Sequence, residues 1–184
     1  MTDDLLVARR GAAVWITLNR PDRMNAYDPA MCRAMIDAVR EAGGTDASAI
    51  VFTGTGRAFC AGGFLGELAE PDPVSLRTMF FGSLELFETI RSAPVPVIAA
   101  VNGVAAGGGN ELVVACDLAI AARSAWLGQT GVKVGSAPVL GGTNLLAINV
   151  GEKRAKEVAF LCRRYPAEEA VAMGWVNNVV DDDQ

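Results

Sequence analysis

Pro94-Val-Pro-Val-Ile-Ala-Ala-Val-Asn-Gly-Val-Ala-Ala-Gly-Gly-Gly-Asn-Glu-Leu-Val-Val-Ala-Cys-Asp117 is the stretch on which the reading of this chain turns. Val97 to Val101 is a short apolar run of the kind that forms a buried strand. Asn102-Gly103 breaks it. Gly107, Gly108 and Gly109 follow, and Leu112 to Cys116 then reads as the first turns of a helix. A helix start leaves backbone N–H groups unpaired and carries the positive end of the dipole, so it suits an anion. Glycine lets a ligand approach the backbone closely. Glu111 falls in that first turn. Donors aimed at a developing oxyanion, with one carboxylate beside them, are the parts that chemistry through an enolate requires. Two plainer readings compete: a tight strand-to-helix connection, and a glutamate that only favours the helix dipole. Neither a dinucleotide Gly-x-Gly-x-x-Gly nor a phosphate-loop Gly-Lys-Ser/Thr occurs in this stretch.

Working outward, the alternation of Val14, Ile16 and Leu18 with Trp15 and Thr17 predicts a strand over Ala12 to Leu18. Asn19 to Asp22 is a turn. Asp28 followed by Pro29 is a helix cap with proline at the first helical position, and Met31, Met35, Ile36 and Val39 form one apolar face of a helix ending near Gly43-Gly44. Ala49 to Thr53 is a second buried strand. Phe59-Cys-Ala-Gly-Gly-Phe64 is a second glycine-bearing site. Glu67 to Pro73 is polar and proline-punctuated, as in a mobile connection. Leu76, Phe80, Leu84, Phe87 and Ile90 mark a long amphipathic helix.

Leu118 to Ala122 is a third strand, and Trp126 to Thr143 a glycine-rich loop region, with Thr143 placed to cap a helix through Ile148. A helix follows Gly151, another opens at Pro166 and stops at Gly174, and Val176 to Val180 is a last strand. Strands alternate with helices throughout, so the class is α/β, with a rhythm that suggests a stacked spiral.

Composition narrows the function. The 184 residues fit one domain, and 51% of them are hydrophobic, enough for a sizeable core. Net charge is −5 with no Lys/Arg run, which disfavours nucleic acid and acidic membrane surfaces. No apolar run reaches membrane-span length, and the first ten residues hold Asp3 and Asp4 with no secretory core, so a cytoplasmic location is expected. Cys32, Cys60, Cys116 and Cys162 form no Cys-x-x-Cys pair and read as buried free thiols. There is no histidine, which removes Ser-His-Asp and Cys-His systems and most transition-metal sites. Carboxylates and backbone donors are left to carry any chemistry. Asp117 reads as a structural hydrogen-bonding group, Lys133 and Lys153 as solvated, and Arg163-Arg-Tyr165 as a solvated face.

Five segments, in order, resemble the crotonase (enoyl-CoA hydratase/isomerase) superfamily. They are Leu18-Asn-Arg-Pro21 with Met24-Asn-Ala26; Gly54-Thr-Gly-Arg-Ala-Phe-Cys-Ala-Gly-Gly63; Pro96-Val-Ile-Ala-Ala-Val-Asn-Gly103; Ala106-Gly-Gly-Gly-Asn-Glu-Leu112 with Cys116-Asp-Leu118; and Gly141-Gly-Thr143 followed by Val150-Gly151, Ala170 and Gly174. The resemblance implies a crotonase-like ββα spiral core that binds an acyl-CoA thioester, with coenzyme A as part of the substrate and no tightly bound cofactor or metal. By position it implies an oxyanion hole from the N–H groups of Gly63 and Gly108, and Glu111 as catalytic acid/base. Arg23, Met24 and Ala26 match the segment that lines the coenzyme A moiety. Ala61, Gly62, Phe64, Leu65, Thr130 and Gly131 complete the implied substrate contacts. Cytoplasmic fatty acid metabolism and a homo-oligomer, a trimer or dimer of trimers, are implied likewise.

Three departures qualify what the resemblance implies. Gly131 stands where hydratases carry a second glutamate. Gln129-Thr-Gly131 with Lys133-Val-Gly-Ser136 is similar to naphthoyl-CoA synthases and to ring-opening hydrolases of alicyclic oxo-acyl-CoA. In the synthases a bound bicarbonate can replace the missing carboxylate. Yet Pro138 stands where those relatives have an aspartate, and they often lack the glutamate kept here as Glu111. Phe64 replaces the usual aspartate of Ala-Gly-x-Asp. Finally, family members continue into C-terminal helices, whereas this chain stops at Gln184, so that extension is expected to be lacking. The leading expectation is a hydratase/isomerase-type enzyme working through a thioester enolate. The alternatives are a ring-opening hydrolase, and an inactive truncated relative that only binds coenzyme A.

Overall fold

The computed structural model describes residues 4–63 and 72–183. Phe64, Leu65 and most of the Glu67–Pro73 connection lie outside the described residues.

Among the described residues the strands fall into two sheets. The first has six strands in the order β1 (Leu5–Arg10), β2 (Ala13–Leu18), β3 (Ala49–Gly54), β5 (Val97–Val101), β7 (Leu118–Ala122) and β10 (Asn178–Val180). The second has four, in the order β4 (Ala58–Cys60), β6 (Val104–Ala106), β8 (Trp126–Gly128) and β9 (Tyr165–Pro166). β1 and β2 pair antiparallel across a two-residue turn at Gly11-Ala12, and β2, β3, β5, β7 and β10 then run parallel. The chain places β3, β5 and β7 in the first sheet and β4, β6 and β8, each directly following, in the second. Each turn therefore deposits one strand on each sheet, which is the expected ββα spiral.

The helices follow from their caps and faces. α1 (Pro29–Gly43) starts where Asp28 accepts from Met31 N at 2.9 Å with proline at the first position. It buries Met31, Met35, Ile36 and Val39 as the pattern predicts. α2 (Pro73–Arg91) is capped by Asp72, which accepts from Ser75 N. Its buried residues are Ser83, Leu86, Phe87 and Ile90, while Leu84 is exposed. The predicted stripe is thus rotated: the buried face includes a serine, which an apolar pattern passes over. α3 (Gly108–Ala115) is the helix expected at the glycines, but it starts within them, at Gly108 rather than at Leu112, and ends before Cys116.

Four further corrections concern the C-terminal half and the short strands. Trp126–Gly128 is strand β8 rather than loop. α4 (Leu145–Val150) is capped by Asn144, not Thr143. Tyr165 is fully buried, its ring centroid 5.6 Å from that of Trp175, so only Arg163 and Arg164 form the solvated face. β1, β4, β6 and β9 lie outside the predicted strands. α5 (Glu152–Leu161) and α6 (Ala167–Met173) stand where expected. Asp117 holds the start of β5 by accepting from Val97 N at 2.8 Å. The four cysteines are free, and all but the half-buried Cys116 are buried. No helix among the described residues is long and apolar enough to cross a membrane.

Candidate active site

Two glycine-bearing turns meet at the mouth of the spiral. After β4 the chain runs through Ala61 and Gly62 to Gly63. Gly62 takes φ +102°, a conformation that side chains resist, and its carbonyl accepts from Tyr27 N at 3.0 Å. After β6, Gly107 takes φ +54° and its N–H donates to Gly128 O at 3.0 Å, so that α3 begins beside the end of β8. The turns pack without room for side chains. A Cβ on Gly62 would lie 2.8 Å from Gly108 N, and one on Gly108 would lie 3.3 Å from Gly63 N. Among the described residues no backbone carbonyl accepts from Gly63 N or Gly108 N. Two amides with no partner among the described residues stand side by side, one of them at a helix start.

Glu111, in the first turn of α3, is only 4% exposed. Its Oε1 accepts three backbone bonds, from Leu140 N at 2.9 Å, Gly141 N at 2.9 Å and Gly142 N at 3.0 Å. No donor among the described residues bonds its Oε2. Burial pushes the carboxyl above its usual range, and the three amides oppose that without overcoming it. Such a group is a better base than an ordinary carboxylate.

Gly63, Gly108 and Glu111 line one cavity of about 90 Å³. Ala61, Thr130 and Gly131 line it as well, so six of the residues picked out in the sequence come together. Met79, Phe80, Val134, Ala137 and Leu140 supply apolar wall. A carbonyl held against the paired amides would lie in a partly apolar space with one carboxylate beside it. That arrangement can remove a proton next to a carbonyl.

Arg23, Met24 and Ala26 do not line this cavity. They are tied to its rim: Met24 O accepts from Ala61 N at 3.0 Å, and the buried Asn25 between them donates to Thr55 O and Ala58 O. Gly131 lines the cavity without a side chain, and the nearest atoms to a Cβ there would be those of Ser136, at 3.4 Å or more. Among the described residues there is no cluster of His, Cys, Asp and Glu able to hold a metal.

Sequence reasoning missed Tyr27, Ser83 and Gln129 as wall residues, and the Leu140–Gly142 amides as partners of Glu111. The buried polar character of Ser83 within an apolar helix face was the available signal for one of them.

The sequence profile described as enoyl-CoA hydratase/isomerase matches residues 9–184. A protein of Rhodobacter capsulatus described as "Probable enoyl-CoA hydratase" is 44% identical over 173 residues, covering 94% of this chain. The chain spans 66% of that relative's length. The crystal structure of an enoyl-CoA hydratase from Thermoplasma volcanium superposes with a TM-score of 0.95 at 35% identity, over 99% of this chain and 73% of that one. An enoyl-CoA hydratase structure from Bacillus anthracis gives 0.94 at 36% identity, over 98% and 71%.

Proposed function

The chain belongs to the enoyl-CoA hydratase/isomerase family, and from that premise we propose that it acts on acyl-CoA thioesters through their enolates. The observation that carries this is the cavity shared by Glu111 and the paired amides of Gly63 and Gly108. In this reading the thioester oxygen accepts from both N–H groups. Glu111 takes a proton from the α-carbon, and negative charge moves onto the oxygen. Return of that proton at the γ-carbon shifts a β,γ double bond into conjugation with the thioester. One carboxylate suffices for that exchange, whereas hydration uses a second at the position held by Gly131. Isomerisation is therefore the favoured reaction. Coenzyme A is part of the substrate, and no resident cofactor is required. Cytoplasmic fatty acid metabolism and assembly into trimers extend the same reading, the last checked by sedimentation.

A second reading rests on the space at Gly131, which lines the cavity beside Thr130 and carries no side chain. A water or small anion lodged there would permit ring opening of an alicyclic oxo-acyl-CoA. The test is product analysis with a 3-enoyl-CoA and a cyclic oxo-acyl-CoA. Conversion of the first to its 2-enoyl isomer, lost by about 10²–10⁴-fold in Glu111→Gln, is the expected result. Carbon–carbon cleavage of the second would replace it, and failure to bind either thioester at millimolar concentration would overturn both.

A further inference from the structure

We propose that the hydroxyl of Tyr27 is a third hydrogen-bond donor to the thioester oxygen, alongside the amides of Gly63 and Gly108. This rests on the acyl-CoA reading of the same cavity. Tyr27 is 2% exposed, lies between β2 and α1, and lines the cavity. Its backbone is pinned to the first glycine turn through the bond from its N–H to Gly62 O. The position a Cβ of Gly108 would take is a useful marker of where the polar groups converge. It lies 2.7 Å from Tyr27 Oη and 3.3 Å from Gly63 N, and it is attached to the residue that carries the Gly108 amide. Tyr27 Oη and Gly63 N therefore converge on one small space, beside Gly108, that glycine leaves open. A side chain at residue 108 would collide with the phenol, so the closeness of Tyr27 also accounts for glycine at that position.

The phenol has a proton to give. Among the described residues its hydrogen-bonding neighbour is Ser83, whose Oγ stands 2.9 Å from Met79 O and 3.4 Å from Tyr27 Oη. Ser83 has a single hydroxyl proton, and the shorter contact to Met79 uses it. Ser83 can then only accept from Tyr27, at a distance beyond the usual range for two hydroxyls. A weak internal partner leaves the Tyr27 proton available to a better acceptor. Burial keeps the phenol protonated across the working pH range, with Glu111 acting in the same direction. A neutral donor whose acceptor gains negative charge in the transition state contributes more there than in the ground state.

The experiment is Tyr27→Phe in the full chain, which keeps the ring in the core and removes only the hydroxyl. Wild-type binding of acetoacetyl-CoA, against coenzyme A alone as control, first tests the acyl-CoA reading. If the wild type does not bind it, both the reading and the proposal fall. If it does, the variant decides the proposal. The expected result is a kcat for 3-enoyl-CoA isomerisation lowered about 10- to 100-fold with KM within about threefold. Affinity for acetoacetyl-CoA should fall while affinity for coenzyme A is unchanged. Unchanged kcat and unchanged acetoacetyl-CoA affinity would overturn the proposal. In the absence of turnover, the ratio of the two affinities decides alone. An unaltered thioester carbonyl stretching frequency in the variant complex would also overturn it, because a lost hydrogen bond to that oxygen must raise the frequency.

Discussion

The amide of Gly142 donates to Oε1 of Glu111 at 3.0 Å, and Gly142 has no space for a side chain. A Cβ there would lie 2.6 Å from Cβ of Pro138 and 3.0 Å from Nε2 of Gln129. Pro138 is a rigid ring and buried, so the backbone at residue 142 must move instead. Gly142→Ala should therefore pull one of three donors away from the carboxylate without touching any atom of the substrate. Bonds to a charged group contribute about 1.5–3 kcal/mol, so kcat/KM should fall about 10- to 100-fold. The acid limb of its pH profile should move upward, since an opposing donor is lost while burial stays. A profile that keeps its midpoint would show that Oε1 does not depend on this amide.

Glu111 also leaves a signature in stability. Its folded carboxyl titrates above the ordinary value of 4.5, chiefly because it is buried. Between that value and the higher folded one, the folded chain keeps a proton that the unfolded chain has released. Stability is therefore full below about 4.5 and declines as pH rises through the folded value. Glu111→Gln keeps a carbonyl oxygen for the three amides and removes the titration. Urea unfolding across mildly acidic to neutral pH should show the decline in the wild type and its loss in the variant. At pH 7 the variant should be at least as stable as the wild type while nearly inactive.

The same pair shows where the sequence is legible and where it is not. Glu111 could be found because strand, glycines and helix leave a residue-type pattern, and β5, α3 and β7 follow it closely. Its partners could not, because backbone N–H groups at Leu140 to Gly142 carry no residue signature and lie 29 or more positions away. β4, β6 and β9 have only two or three residues each, too few for a period to register. β1 alternates no burial at all, having one buried residue followed by five exposed ones. Tyr27 was hidden just past a turn, where a motif drew attention to Met24 and Ala26 on either side of Asn25. Its proximity to Gly108 is a product of the spiral bringing two turns together.

Gly131 offers a constructive test. Its φ lies outside the left-handed region, and a Cβ there would make ordinary contacts with Ser136. Gly131→Glu should therefore fold, with a melting temperature within a few degrees of the wild type, and place a second carboxylate on the cavity. If the single carboxylate is what restrains hydration, hydration of crotonyl-CoA should rise about 10²-fold, the lower end of what a positioned acid/base contributes. A variant that folds but gains no hydration would show that the Gly131 position does not face the β-carbon.

The last relationship runs through three side chains, from the core to the cavity wall at Gln129. Trp175 Nε1 donates to Asn110 Oδ1 at 2.9 Å, and Asn110 Nδ2 donates to Gln129 Oε1 at 2.9 Å. An indole can only donate, so it fixes which end of Asn110 faces it. Asn110 then presents its amide nitrogen to Gln129 and fixes that side chain in turn, leaving the Gln129 amide nitrogen toward the Gly142 side of the cavity. All three residues are buried. Asn110→Ala strands a donor on Trp175 and an acceptor on Gln129, each costing about 1–3 kcal/mol when left unpaired. A loss of about 3 kcal/mol in unfolding free energy is expected. Trp175→Phe removes only the first link, so its hydrogen-bond loss should be nearer 1 kcal/mol, and Asn110 becomes free to turn over. The two variants should then differ in a second way. Asn110→Ala should blur the orientation of Gln129 and raise KM, whereas Trp175→Phe should leave KM within about twofold if the Asn110–Gln129 bond holds by itself. A KM unchanged from the wild type in both variants would mean that the orientation of Gln129 does not reach the substrate.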